Sequence, residues 1–113
     1  MPGDLASPNN FVQLVLRIAA RDEAALSEFY DATSNLVYGV VKKILNNPSV
    51  AEEVTIDVYL QVWRQAERYS VVRGSPTTWL IMLARSRAID SFRSSRRREA
   101  LEHPIHDTAQ FVD

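Results

Sequence analysis

Apolar positions along the chain recur at helical spacing and never alternate as a half-buried strand would. Phe11, Leu14, Val15 and Ile18 fall at i, i+3, i+4 and i+7, behind the helix-start sequence Ser7-Pro8-Asn9-Asn10. Arg21-Asp22 breaks this helix, and Asp22 is placed to cap the next one. A long apolar stripe follows, made of Leu26, Phe29, Tyr30, Thr33, Val37, Val40, Val41 and Ile44. Asn46-Asn47-Pro48 ends it, and Ser49 is expected to cap a third helix over about residues 50–68. Residues 69–74 read as a loop. Ser75-Pro76 then supplies an N-cap followed by proline at the first helical position, and a fourth helix is expected to run to about Arg97. From Glu99 to Asp113 the periodicity is lost and Pro104 intervenes. The pattern predicts an all-α fold, a compact helical bundle of about four helices. It divides the chain into a flexible N-terminus at 1–8, a domain at 9–98 and a linker or tail at 99–113.

The faces of the last two helices carry the functional signal. At 100° per residue, Ala51, Val54, Val58, Val62, Ala66 and Tyr69 share a core face of the third helix. Glu53, Asp57, Arg64, Glu67 and Arg68 lie opposite, with Ile56 and Leu60 among them and Trp63 at the margin. Apolar residues inside a charged face mark a docking surface for another helix. Single exposed apolar residues are also ordinary on protein surfaces, and periodicity leaves both readings open. On the fourth helix Ile81, Met82, Ala88, Ile89 and Phe92 cluster on one side and are expected in the core. Arg85 falls within that stripe, which suggests a structural ion pair or a snorkelling stem. Trp79, Leu83, Arg87 and Asp90 project on the other side, where Arg87 reaches toward phosphates and Asp90 orients a neighbouring arginine.

Charge is segregated. Residues 85–98 hold six arginines and one aspartate, a sum of +5, in a chain of net charge −1, so the remainder carries −6. A basic helix end on a mostly acidic chain suits a polyanion, with nucleic acid the first candidate. Arginines also suit a helix C-terminus through the dipole, but four in the six residues from Arg93 to Arg98 exceed that need. The loop before the helix offers Tyr69, Ser70, Arg73 and Ser75, an aromatic ring, hydroxyls and a cation that suit an unstacked base. The same loop also reads as a plain connector, with Gly74 turning the chain and Tyr69 packed inward.

Much chemistry is excluded. The absence of cysteine rules out disulfides, thiolate zinc sites and a thiol nucleophile. No apolar run approaches the ~20 residues of a membrane span, and Met1 to Asn10 lacks the pattern of a signal peptide. His103 and His106 have Pro104 between them and only Asp107 nearby, so no metal site is expected. No phosphate loop, nucleophile elbow or histidine–carboxylate pair is present, and Glu52 and Glu53 diverge on their helix. The chain is expected to have no catalytic group and no cofactor.

The stretch AEEVTIDVYLQVW (51–63), then RGSP (73–76), TWL (78–80) and ARSRAID (84–90), resembles region 2 of bacterial sigma-70-family factors of the extracytoplasmic-function group. The upstream RDEAALSEFY (21–30) is similar to that group's opening helix, so the resemblance covers about residues 9–98 in order. It implies a compact all-helical domain in the bacterial cytoplasm. The third helix would bind the β′ coiled coil of core RNA polymerase through Glu53, Ile56, Asp57, Leu60, Trp63 and Arg64. The loop would capture a flipped base of the non-template strand at the promoter −10 element, and the fourth helix would lie along that DNA. Tyr69, Ser70, Arg73, Gly74, Ser75, Thr78, Trp79, Arg87, Arg93, Arg96 and Arg97 are the implied DNA contacts. An anti-sigma protein is an expected partner covering the same surfaces.

Three departures stand out. Ile56 precedes Asp57 where relatives often carry Gln, which makes that contact apolar. Leu83 and Ala84 occupy the positions of the Trp pair that primary sigma factors use for melting. No helix-turn-helix region 4 is present, so the chain is expected to be an isolated domain ending in an inter-domain linker. One alternative is a degenerate sigma-like interaction module that binds a regulator without promoter recognition. The other is a non-specific nucleic-acid-binding helical domain.

Overall fold

The computed structural model describes residues 8–102. The expectations for residues 1–7, for His103, His106 and Asp107, and for the rest of the tail lie outside the described residues. Within them the chain forms α1 (Pro8–Ala19), α2 (Glu23–Leu45), α3 (Pro48–Gln65) and α4 (Pro76–Glu102). Two single 3₁₀ turns, Ala66–Arg68 and Val71–Arg73, fill the connection from α3 to α4. Among the described residues the fold is all-helical, as the periodicity predicts.

The joints follow from local chemistry. α1 ends in a Schellman motif, with the Arg21 N–H donating to the Ile18 carbonyl at 2.8 Å and the Asp22 N–H to the Arg17 carbonyl at 3.0 Å. Asp22 then caps α2 by accepting from the Ala25 N–H. α2 ends at Asn46 in the left-handed region (φ 54°), its N–H donating to Lys42. The cap of α3 is Asn47, whose Oδ1 accepts from the Val50 N–H at 3.1 Å, and not Ser49 as the sequence suggested. Pro48 explains the shift: proline favours the first helical position, which makes the residue before it the cap. α4 begins as expected, with Ser75 Oγ accepting from the Thr78 N–H at 3.1 Å. It continues through Glu99 to Glu102 instead of ending near Arg97, because Glu-Ala-Leu-Glu favours helix.

α2 lies at the centre and packs against α1, α3 and α4. The stripe read from α1 is buried, as are Phe29, Thr33, Val37 and Val41 of α2. The α3 core face, Ala51, Val54, Val58, Val62 and Ala66, is buried as the 100° rule placed it. Tyr59 and Thr55, which that reading passed over, are buried with it. Phe29 meets Phe11 and Tyr59 edge-on, with ring centroids 5.7 and 6.3 Å apart. Thr33 donates its hydroxyl proton to the Phe29 carbonyl at 2.6 Å. Its oxygen therefore accepts from the Tyr59 hydroxyl, 2.5 Å away, so both buried hydroxyls are satisfied.

The core face of α4 differs from the sequence reading. Pro76, Trp79, Leu80, Ala84 and Ala88 are buried and Leu83 packs against them. Met82 is 60% exposed, Phe92 and Arg85 are exposed, and Ile81 and Ile89 are only half-buried. Trp79 is 7% exposed and does not project outward. The physical reason is size. The inner face of α4 is written partly in alanine, through Ala84 and Ala88, which a reading weighted by bulk undervalues, while the larger Met82 and Phe92 lie outside.

Two outcomes test this packing. Arg85→Ala should change unfolding free energy by no more than about 0.5 kcal/mol, whereas Leu80→Ala should cost about 2–5 kcal/mol in urea titrations. Burial pushes the Tyr59 phenol up to about 12 against an ordinary value of 10.0. The stability tied to that group is fully present below pH ~10 and is lost as pH rises toward ~12, because the unfolded phenol ionises first. Absorbance titration should show a late tyrosine component that Tyr59→Phe removes.

Candidate functional site

Two surfaces collect the residues singled out from sequence. The first is a groove of about 510 Å³ between α2 and α3, lined by Glu23, Leu26, Ser27, Tyr30, Ile56, Tyr59, Leu60 and Trp63. On α3, Ile56, Leu60 and Trp63 stand at i, i+4 and i+7 and form one wall. On α2, Leu26 and Tyr30, one turn apart, form the other. Tyr59 is the floor, its ring 4.9 Å from that of Tyr30. Ile56 and Leu60 are 48% and 45% exposed, so their apolar surface is open to a partner. Leu26, Tyr30 and Tyr59 were missed as groove residues. The first two belong to the apolar stripe of α2, and periodicity does not distinguish the centre of a stripe from its edge.

The acids predicted beside this pair face another way. Glu53 and Asp57 line a cleft of about 390 Å³ between α3 and α4, together with Val50, Val54, Arg87, Asp90, Ser91 and Arg98. Asp57 Oδ2 lies 3.8 Å from Arg87 Nη2, both side chains being well exposed. An exposed pair at that distance contributes on the order of 0–1 kcal/mol. It nonetheless joins a residue expected on one surface to a residue expected on the other. Arg64 is exposed near the end of α3 and belongs to neither recess.

The second surface is the loop and the outer side of α4. The Tyr69 hydroxyl donates to the Gly74 carbonyl at 2.9 Å and clasps the loop across its base. Gly74 adopts φ 113°, ψ −179°, a conformation open essentially to glycine, and a Cβ there would stand 3.3 Å from Thr78 Cγ2. The Ser70 hydroxyl accepts from the Val72 N–H and starts the 3₁₀ turn. Val71, Arg73 and Ser75 are exposed and Val72 is 90% exposed, so the clasp presents the turn to solvent.

Trp79 sits beneath Tyr69, ring centroids 5.3 Å apart. Trp79, expected among the DNA contacts, is only 7% exposed and packs against the half-buried tyrosine. Thr78 is exposed, its hydroxyl taking a hydrogen bond from Ser75 Oγ at 3.1 Å. Farther along α4, Arg93 and Arg97 are exposed, and the Arg96 guanidinium lies over the Phe92 ring at 5.4 Å. Phe92, expected in the core, is thus the apolar base of the arginine cluster.

Among the described residues no three His, Cys, Asp or Glu side chains converge as metal ligands would. No helix among them is long and apolar enough to cross a membrane.

Comparison with known proteins places the chain in a family. A model for sigma-70 region 2 matches residues 29–98, from the second turn of α2 through most of α4. The ECF RNA polymerase sigma factor SigK of Mycobacterium sp. (strain KMS) is 47% identical over 81 residues, covering 72% of this chain and 42% of that protein. The ECF RNA polymerase sigma factor SigK of Mycobacterium tuberculosis (strain ATCC 25618 / H37Rv) is 42% identical over 80 residues, covering 71% of this chain and 43% of that protein. The match thus spans less than half the length of these relatives. Residues 29–98 of this chain form a sigma-70 region 2 domain of the extracytoplasmic-function type, and the chain belongs to that family.

Proposed function

We propose that this domain serves bacterial transcription initiation by joining core RNA polymerase and helping to open the promoter −10 element. The observation that carries the reading is the apolar groove itself. Ile56, Leu60 and Trp63 stand open on the helix that corresponds to the family's polymerase-binding helix, and Leu26 and Tyr30 complete a recess suited to the side chains of a helical partner. The β′ coiled coil is that partner. Ile56 replaces a hydrogen-bonding Gln, so the contact gains apolar area. Glu53 and Asp57, which line the neighbouring α3–α4 cleft, and Arg64, which lines neither recess, would meet the partner only beyond the edge of the groove and there set its orientation.

The loop at 69–75 captures an unstacked base of the non-template strand. Ser70, Arg73, Ser75 and Thr78 supply exposed donors and acceptors, and Gly74 with the Tyr69 clasp fixes their arrangement. Arg93, Arg96 and Arg97 anchor the phosphate backbone. Arg87 would exchange Asp57 for phosphate. No catalytic group or cofactor is required, because holding a flipped base shifts the duplex toward the open state. The work is done in the cytoplasm, and an anti-sigma protein would silence it by covering the same groove.

Asp57→Arg combined with Leu60→Ala should weaken binding to an isolated β′ coiled coil by at least about tenfold. Unchanged affinity would remove the assignment of this face. Single-stranded −10 non-template oligonucleotides should bind more tightly than scrambled ones at moderate salt, and equal affinities would leave only a non-specific nucleic-acid binder. Replacing Arg96 and Arg97 with Ala should lower the dependence of log K on log salt by roughly one for each phosphate no longer neutralised. An unaltered slope would show that these arginines do not meet phosphate.

A further inference from the structure

Arg21 occupies a position that the backbone alone would give to glycine. It is the residue after the α1 C-cap in the Schellman motif, with φ 70°. A side chain in this left-handed region is disfavoured, and such a conflict persists where the side chain has other work. Here the side chain crosses to α3. Arg21 Nη1 donates to the Trp63 carbonyl. Its guanidinium carbon lies 5.0 Å from the centre of the Trp63 ring. The Trp63 carbonyl belongs to the last turn of α3, where carbonyls lack a following helical N–H and the dipole favours a cation. One side chain thus satisfies the end of α3 and covers a face of its tryptophan.

The surroundings leave Arg21 available for this. Asp22, the adjacent acid, is held by Arg17 Nε at 2.9 Å, and Glu28 lies 3.4 Å from Arg17 Nη2. Arg17 rather than Arg21 therefore serves the local carboxylates. Trp63 is the residue that ends the apolar wall of the α2–α3 groove. α2 starts at Glu23, two residues past Arg21, and contributes Glu23 and Leu26 to the facing wall. Arg21 therefore ties the two walls together at one end of the groove.

We propose that Arg21 is a positioning residue for partner docking, holding the Trp63 ring in the orientation in which the groove receives a helix. This rests on the reading of the groove as the polymerase-binding surface.

The test uses Arg21→Gly, which relieves the left-handed backbone while removing the guanidinium. Three quantities are measured: the thermal midpoint, acrylamide quenching of tryptophan emission, and affinity for an isolated β′ coiled coil. The chain has two tryptophans and Trp79 is buried, so the quenchable emission reports Trp63. The expected result is an unchanged or raised midpoint, increased quenching, and about five- to tenfold weaker binding. In a Trp63→Ala background the same Arg21→Gly change should cause no further loss of affinity. Unchanged quenching would overturn the inference, as would an equal loss of affinity with and without Trp63. A fall in midpoint that accounts for the weaker binding would make Arg21 merely structural and also overturn it. If Asp57→Arg with Leu60→Ala loses binding while Arg21→Gly does not, only this inference fails. If that double variant binds normally, the docking reading fails and takes this inference with it.

Discussion

The rotation of α3 about its own axis is the constraint on which everything else depends. It is set by Tyr59, which is driven inward against Phe29 and Tyr30 and can stay there because its hydroxyl donates a hydrogen bond to the Thr33 hydroxyl. An unpartnered phenol at that depth would cost about 1–3 kcal/mol, enough to disfavour the arrangement. With Tyr59 fixed as the floor, its neighbours on the helix surface have no freedom. Ile56 at i−3, Leu60 at i+1 and Trp63 at i+4 must rim the groove, and Val58 and Val62 must enter the core. The exposed apolar pair is thus a consequence of how α2 and α3 share one buried aromatic cluster.

α4 is placed by a different device. Ala84 and Ala88 are buried on the inner face of α4, with Trp79 and Leu80 buried nearer the loop. This orientation puts the arginines on the outer side and the loop at one end of the molecule. It also brings Arg87 against Asp57. The acidic residues of α3 therefore do not all serve the groove: Ile56, Leu60 and Trp63 face α2, and Glu53 and Asp57 face α4. A single helix presents one edge to the α2–α3 groove and another to the α3–α4 cleft.

The element order and the core of α1, α2 and α3 were legible in the sequence because large apolar residues repeat there at strict helical spacing. The face of α4 was not. Its reading placed Ala88 correctly but otherwise followed bulk, through Ile81, Met82, Ile89 and Phe92, and passed over Leu80 and Ala84, which are fully buried. Trp79, assigned to the opposite side, is buried, and Arg85, assigned to the buried stripe, is exposed. One wall of the α2–α3 groove was legible through Ile56 and Leu60 as residues out of phase with their helix. Its other wall was not, since Leu26 and Tyr30 repeat in phase with a stripe whose width only packing decides. Arg21 read as a helix breaker. That its side chain reaches a residue 42 positions away has no local signature.

The central claim is that two separate surfaces, one apolar and one basic, serve two different partners. The most direct measurement is a pair of amide chemical-shift titrations on the isotopically labelled domain, one with the β′ coiled coil and one with a −10 non-template oligonucleotide. The account predicts that the coiled coil perturbs Leu26, Tyr30, Ile56, Leu60 and Trp63, and that the oligonucleotide perturbs Ser70, Arg73, Thr78 and the arginines from Arg93 onward. Perturbation of the same residues by both ligands, or a silent groove in the presence of the coiled coil, would contradict it.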